Sequence, residues 1–256
     1  MPLSDWLTQH TLIQDSHALV LALLAALCIG MSKAGLAGAA TLNVVLMAEA
    51  FGAMPSVGLV LPLLIFADLM GYAINHKGGS WRQIVPLIPP AAMGVVAGWM
   101  LLHRIDAAVA RPVIGWTIIL LLAFKLLLDM NREVFADLHR HRFFTWGMGT
   151  AAGTTTMLAN AAGPVMTVYL LSQRFEKKEY LGVFSRFFLF INLLKLPFSA
   201  DLGIITPASL KTNLVLLPGV VAGVLLGWLL LRKMSQTVFE RVMFLLTLAA
   251  AARMVI

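Results

Sequence analysis

The sequence predicts an all-α polytopic membrane protein made of two inverted repeats, each a broken, re-entrant helical hairpin followed by three transmembrane helices. Three observations carry that expectation: the composition, a duplicated pattern of apolar segments, and the distribution of basic residues among the loops. Of 256 residues, 60% are hydrophobic and 12% charged, roughly half the charged fraction of a soluble domain. Mean hydropathy is +0.88. Runs of about 18 apolar residues, long enough for a helix to cross hydrocarbon, recur along the whole length. The first 16 residues contain Asp5 and Asp15 and no Lys or Arg, so no signal peptide is expected there.

The apolar stretches fall near 18–32, 36–50, 56–74, 84–102 and 109–127. They resume after a polar loop at 143–158, 161–172, 181–198, 210–231 and 238–256. This divides the chain into a first transmembrane repeat (1–128), a cytoplasmic linker (129–142) and a second repeat (143–256). Each half holds two short pieces and three full-length spans, the pattern of an internal duplication. The segment PPAAMGVVAGWMLLHR (89–104) matches PGVVAGVLLGWLLLRK (218–233) at an offset of 129. That offset sets Pro89, Gly94, Gly98 and Trp99 on Pro218, Gly223, Gly227 and Trp228. An offset of 124 sets Gly58 on Gly182, Phe66 on Phe190 and Asp68 on Asn192, and one of 125 sets Gly38 on Gly163.

Loop charges decide how the halves are related. If 18–50 and 143–172 each crossed once, Lys and Arg would divide almost evenly between the two faces. If each pair of short pieces dips in and returns, six spans remain and the second half is inverted. One face then holds Lys77, Arg82, Arg132, Arg140, Arg142, Arg174, Lys177, Lys178, Arg232, Lys233 and Arg241. The other holds only Arg104, Arg111, Lys211 and Arg253. Such an imbalance is the positive-inside signature, and it favours the re-entrant arrangement.

The two breaks are IGMSKAGLAG (29–38) and GTTTMLANAAGP (153–164). Irregular backbone at membrane depth is tolerated only inside protein or beside a wet cavity. Half-helices starting near Ala37 and Gly163-Pro164 would turn free N–H groups and positive dipole ends toward the midplane, which suits an anion. Gly35, Gly38 and Gly163 let backbone approach a ligand, while Ser32, Thr154, Thr155, Thr156 and Asn160 supply neutral donors. The same small residues also suit close helix packing, a reading that leaves Lys33 without a role.

Four cations sit away from the loops: Lys33, Lys125, Arg186 and Lys195. A charge within a bilayer is costly and marks a functional candidate. Lys125, near a segment end, is expected to snorkel. Lys33, Arg186 and Lys195, with Asn192 one turn before Lys195, are the candidate substrate-binding residues. Asp68 is a candidate for proton or ion coupling, or a structural partner for a buried lysine.

The string TTTMLANAAGPVMTVYLLSQRFEKKEYLGVFSRFFLFINLLKLPF (154–198) resembles the second-half signature of the TauE/SafE sulfite exporter family, also called the toluene-sulfonate uptake permeases. GMSKAGLAG fits the first half, and the resemblance runs from about Leu19 to Ile256. It implies a multi-pass secondary transporter of the bacterial inner membrane that moves sulfite, an organosulfonate or a similar small anion between two related halves.

Other classes find less support. One cysteine, Cys28, and six unpaired histidines offer neither a disulfide framework nor a metal site. An intramembrane enzyme would need a nucleophile–base pair or a carboxylate pair at one depth, and only Asp68 and isolated serines are present. No cofactor and no nucleic-acid partner are expected. A carrier or channel for another small anion or metabolite, a structural membrane subunit, and a homodimer remain open on sequence alone.

Overall fold

The computed structural model describes residues 3–34, 36, 39–130, 142–173 and 175–233, with isolated positions between 238 and 252. Gly35, Gly38, Arg174, most of the 129–142 linker and most of the last apolar segment lie outside the described residues, as does the side chain of Lys125. The described chain is all helical: α1 Leu3–His10, α2 Ser16–Lys33, α3 Ala39–Phe51, α4 Ala53–Asn75, α5 Ile88–Leu102, α6 Ala107–Met130, α7 Arg142–Ala159, α8 Gly163–Ser172, α9 Lys177–Asp201 and α10 Pro207–Lys233. Two 3-10 turns, Trp81–Gln83 and Val85–Leu87, lead into α5. Among the described residues, five stretches are long and apolar enough to cross a membrane: Ser16–Lys33, Ala53–Asn75, Trp81–Leu102, Lys178–Asp201 and Pro207–Leu230. The chain is therefore a multi-pass membrane protein.

One boundary departs from the sequence expectation. Residues 18–32 read as a short piece, but α2 runs for 18 residues, a rise of about 27 Å. Asp15 explains the early start: its carboxylate accepts the Ala18 N–H at 2.7 Å and caps the helix before the apolar run begins. The return helices are shorter, about 20 Å for α3 and about 15 Å for α8.

Contacts at the helix ends fix how the hairpins open. At one end of the bundle the Leu12 N–H donates to Thr212 Oγ1 at 2.9 Å, Glu49 pairs with Arg111 at 3.5 Å, and Gly58 abuts the carbonyl of Ile204. The approach to α2 and the end of α3 thus share one end. At the other, Phe144 of α7 stacks on Tyr169 of α8 with ring centroids 6.3 Å apart, and the Tyr180 hydroxyl donates to Thr167 at 3.4 Å. Gly182 there packs against the Gly78 carbonyl. Since Gly58 meets the end of α9 and Gly78 its beginning, α4 and α9 run antiparallel. They are the helices that the 124-residue offset pairs.

Glycines bring the two halves into backbone contact. A Cβ added to Gly153 of α7 would stand 2.0 Å from the Ala91 carbonyl of α5; one on Gly30 of α2 would stand 2.1 Å from the Val220 carbonyl of α10. The reverse contacts also recur, Gly94 against the Thr150 carbonyl at 2.1 Å and Gly223 against that of Leu27 at 2.2 Å. Ala91 and Val220, like Gly94 and Gly223, are related by the offset of 129, and a single offset also relates Gly30 to Gly153 and Leu27 to Thr150. The same helix pair is thus built twice, each time joining the broken helix of one half to the second full-length span of the other. Without side chains in the seam, dispersion contacts act over backbone at short range, the usual means of helix association in lipid.

Candidate functional site

The first turns of α3 and α8, the helices that follow the two breaks, meet. A Cβ on Gly163, the first residue of α8, would lie 3.9 Å from the Cβ of Ala40 in the first turn of α3, so the two return helices begin face to face. Around this point is a cavity of about 30 Å3, lined by Ser32, Lys33, Ala40, Asn43, Leu64, Thr156, Asn160, Gly163, Phe184, Phe188 and Asn192. Room of that order admits a small ion or a few waters. Asp68, directly behind the lining, stands on α4 halfway in sequence between Gly58 and Gly78, the latter in the turn after the helix. The cavity therefore sits near the middle of the bundle.

Both incoming helices deliver C-terminal carbonyls to this depth, where no bulk water can satisfy them. Each receives a lysine. Lys33 lies in the last turn of α2 itself, and its Nζ is 2.6 Å from Asp68 Oδ1. The ammonium also sits over the ring of Phe188, 4.6 Å from its centroid. Lys195 comes from α9 to the end of α7. It is fully buried, and its Nζ donates to the Thr156 carbonyl at 2.7 Å, to Thr156 Oγ1 at 3.3 Å and to Asn160 Oδ1. Cations at helix C-termini offset the negative dipole end. Asn160 finishes α7 with φ at +52°, the left-handed stop that asparagine tolerates, and donates its amide to the Val57 carbonyl at 3.0 Å.

The two lysines occupy mirrored positions. Lys33 and Thr156 are related by the offset that relates Gly30 to Gly153; Gly71 and Lys195 by the offset of 124. A Cβ on Gly71 would lie 3.9 Å from Lys33 Cβ. Each crossing of a broken helix with a long helix therefore holds one lysine, supplied by the broken helix in the first half and by the long helix in the second. Asn192 Nδ2 donates to Asp68 Oδ2 at 2.6 Å, joining the central pair. With both lysines charged and Asp68 ionised, the centre carries a net charge of +1.

Gly35 and Gly38 lie outside the described residues; the other candidate residues named from sequence divide into three groups. Ser32, Lys33, Thr156, Asn160, Gly163 and Asn192 line the cavity. Asp68 and Lys195 stand one layer behind, bonded to residues that line it. Thr154, Thr155 and Arg186 lie elsewhere: the Thr154 hydroxyl donates to the Gly94 carbonyl at 3.2 Å, and that of Thr155 to the Ala151 carbonyl at 2.8 Å. Arg186 gives its guanidinium to the carbonyls of His76 at 2.6 Å, Gly78 at 2.5 Å and Gly182 at 2.8 Å, tying the turn after α4 to α9. Asn43, Phe184 and Phe188 were not singled out from sequence. Their signals were an isolated Asn in the apolar run TLNVVL, and the four-residue spacing of Phe184, Phe188 and Asn192, which puts all three on one face of α9.

Among the described residues, no cluster of three His, Cys, Asp or Glu side chains could hold a metal ion. No curated protein and no solved structure matches the chain. A family model does, over residues 20–254, described as "Sulfite exporter TauE/SafE". With nearly its whole length covered by that match, the chain belongs to the TauE/SafE sulfite exporter family of membrane transporters.

Proposed function

We propose that this protein is a secondary transporter that carries sulfite or another small sulfur-containing anion across the bacterial inner membrane by alternating access. The observation that carries the reading is the convergence of both helix breaks, with the N-termini of α3 and α8 and the Lys33 ammonium, on one cavity at mid-depth. Two dipole N-termini and a net positive centre attract a compact anion. The Thr156 hydroxyl in the cavity wall can donate a hydrogen bond to its oxygens.

The double construction of the helix seams, the antiparallel run of α4 and α9, and hairpins opening at opposite ends all support an inverted repeat. In such a protein one repeat rocks against the other around a fixed site. The Asp68–Asn192 contact lies between the paired helices α4 and α9, where that motion would be centred. An incoming anion would share the Lys33 ammonium with Asp68, coupling occupancy to the contact between α2 and α4. Asp68 could then take up a proton as its lysine is drawn to the substrate. The sequence shows no ATP-binding element, and a membrane potential negative inside favours outward movement of an anion.

The test is flux in proteoliposomes holding the full chain, with sulfite, thiosulfate, alkyl sulfonates and chloride compared under an imposed potential. Protein-dependent sulfite or sulfonate flux supports the reading. Absence of flux for every anion overturns it, and flux of chloride alone replaces it with another anion carrier.

A further inference from the structure

The cavity wall has a feature that a bare anion does not explain. Asn43 and Asn192 both line it, each is 1% exposed, and the Oδ1 of each is buried without a hydrogen-bond partner among the described residues. The orientation of both amides is fixed by what their nitrogens meet. Asn43 Nδ2 donates to the Ala40 carbonyl, and Asn192 Nδ2 donates to the Asp68 carboxylate. Neither the Ala40 carbonyl nor the ionised Asp68 carboxylate can donate in return, so in that state the nitrogen faces it and the oxygen is left as the free end. A buried acceptor without a donor is costly, which makes it a demand on whatever enters.

Two unfilled acceptors could point to a hard cation held by oxygens. The charges argue otherwise: Lys33 on α2 and Lys195 on α9 outnumber Asp68 on α4, the charged groups around this point. A ligand must therefore bring negative charge and a hydrogen-bond donor together.

Resting on the reading of the cavity as the anion site, we propose that it takes a compact, singly charged oxyanion bearing a donor: hydrogensulfite rather than the sulfite dianion. Its oxygens face Lys33 and the starts of α3 and α8, and its single proton faces one of the two asparagine oxygens. With both lysines charged and Asp68 ionised, one negative charge matches the net charge of +1, whereas a dianion would leave a charge uncompensated. The small volume and the Leu64, Phe184 and Phe188 wall leave no room in this conformation for an aryl group.

Two stable monoanions of nearly equal shape isolate the donor: sulfamate, which carries N–H groups, and methanesulfonate, which carries a methyl in their place. Each would be tested as a competitor of sulfite flux in proteoliposomes at one pH. Sulfite flux would also be measured at fixed total concentration on both sides of sulfite's second ionisation. We expect sulfamate to compete about tenfold better or more, flux to follow the singly protonated form, and Asn43→Leu and Asn192→Leu to narrow the preference. The analogue comparison on the unmodified chain needs no variant to fold. Equal competition, with flux following the dianion, overturns this inference and leaves sulfite transport standing. Absence of sulfite flux at every pH overturns the transport reading and this inference with it.

Discussion

Asn192 donates to Asp68 at 2.6 Å, and these two residues, 124 residues apart, are a pair that the 124-residue sequence offset sets against each other. Where a perfect duplication would set two like residues against each other, this chain sets an amide against a carboxylate. Two carboxylates would repel at this distance, while the amide satisfies one carboxylate oxygen and leaves the other to Lys33. The centre is thus symmetric in backbone and asymmetric in charge. Several consequences can be measured.

Asp68→Leu leaves the Lys33 ammonium buried without its counter-ion. Removing one partner of a buried pair costs about 3–5 kcal/mol, so the variant should melt well below the unmodified protein in detergent. A melting temperature within a degree or two would mean that the pair contributes little to holding α2 on α4.

Lys195→Met removes the donor to the Thr156 carbonyl and Asn160 Oδ1 at the buried end of α7. Hydrogen bonds to a charged group contribute about 1.5–3 kcal/mol each, and the methionine leaves both acceptors unfilled. We expect reduced stability together with loss of transport, because the end of α7 forms part of the cavity wall. Full transport in this variant would show that the break does not need its cap.

Gly30→Ala and Gly153→Ala each place a methyl about 2 Å from a backbone carbonyl of the facing helix. Neither carbonyl can withdraw without moving its helix, so both variants should give little folded protein. Gly147→Ala on the same α7 meets nothing within 4 Å and should be neutral or gain up to about 1 kcal/mol from helix propensity. Yields measured by size-exclusion fluorescence would separate the two classes.

Arg186 binds three carbonyls rather than lining the cavity. Arg186→Lys keeps the charge but loses the fork that reaches both His76 and Gly78. Stability should drop while the apparent KM for sulfite stays the same. A raised KM at unchanged stability would return Arg186 to the binding site.

Much of this arrangement could be read from the chain. The Pro/Gly/Gly-Trp spacing sets α5 and α10 in register, and each packs by its glycines on a broken helix; the charge imbalance suggests hairpins that dip and return. Lys33 stood out because a lysine in an apolar run has few bland explanations. What stayed hidden was set by helix pairing. Sequence separation says nothing about Lys195 reaching Asn160 across two helices, and the depth of Asp68 depended on where α4 meets α9. Arg186 looked the same in sequence as a ligand-binding arginine, since only the packed turn after α4 reveals the carbonyls that occupy it. Asn43 is not marked in the same way, because one asparagine among apolar residues carries no spacing signal.

The central claim is that the cavity between the two breaks, with Lys33 in its wall, is where the anion binds. It is tested most directly by sulfite flux through the double variant Lys33→Met/Asp68→Leu. Replacing a buried ion pair by apolar side chains of similar volume is often neutral for stability, so this protein should fold and reconstitute. The account predicts that it melts near the unmodified protein yet carries no sulfite above empty vesicles. Sulfite flux at the unmodified rate would contradict it.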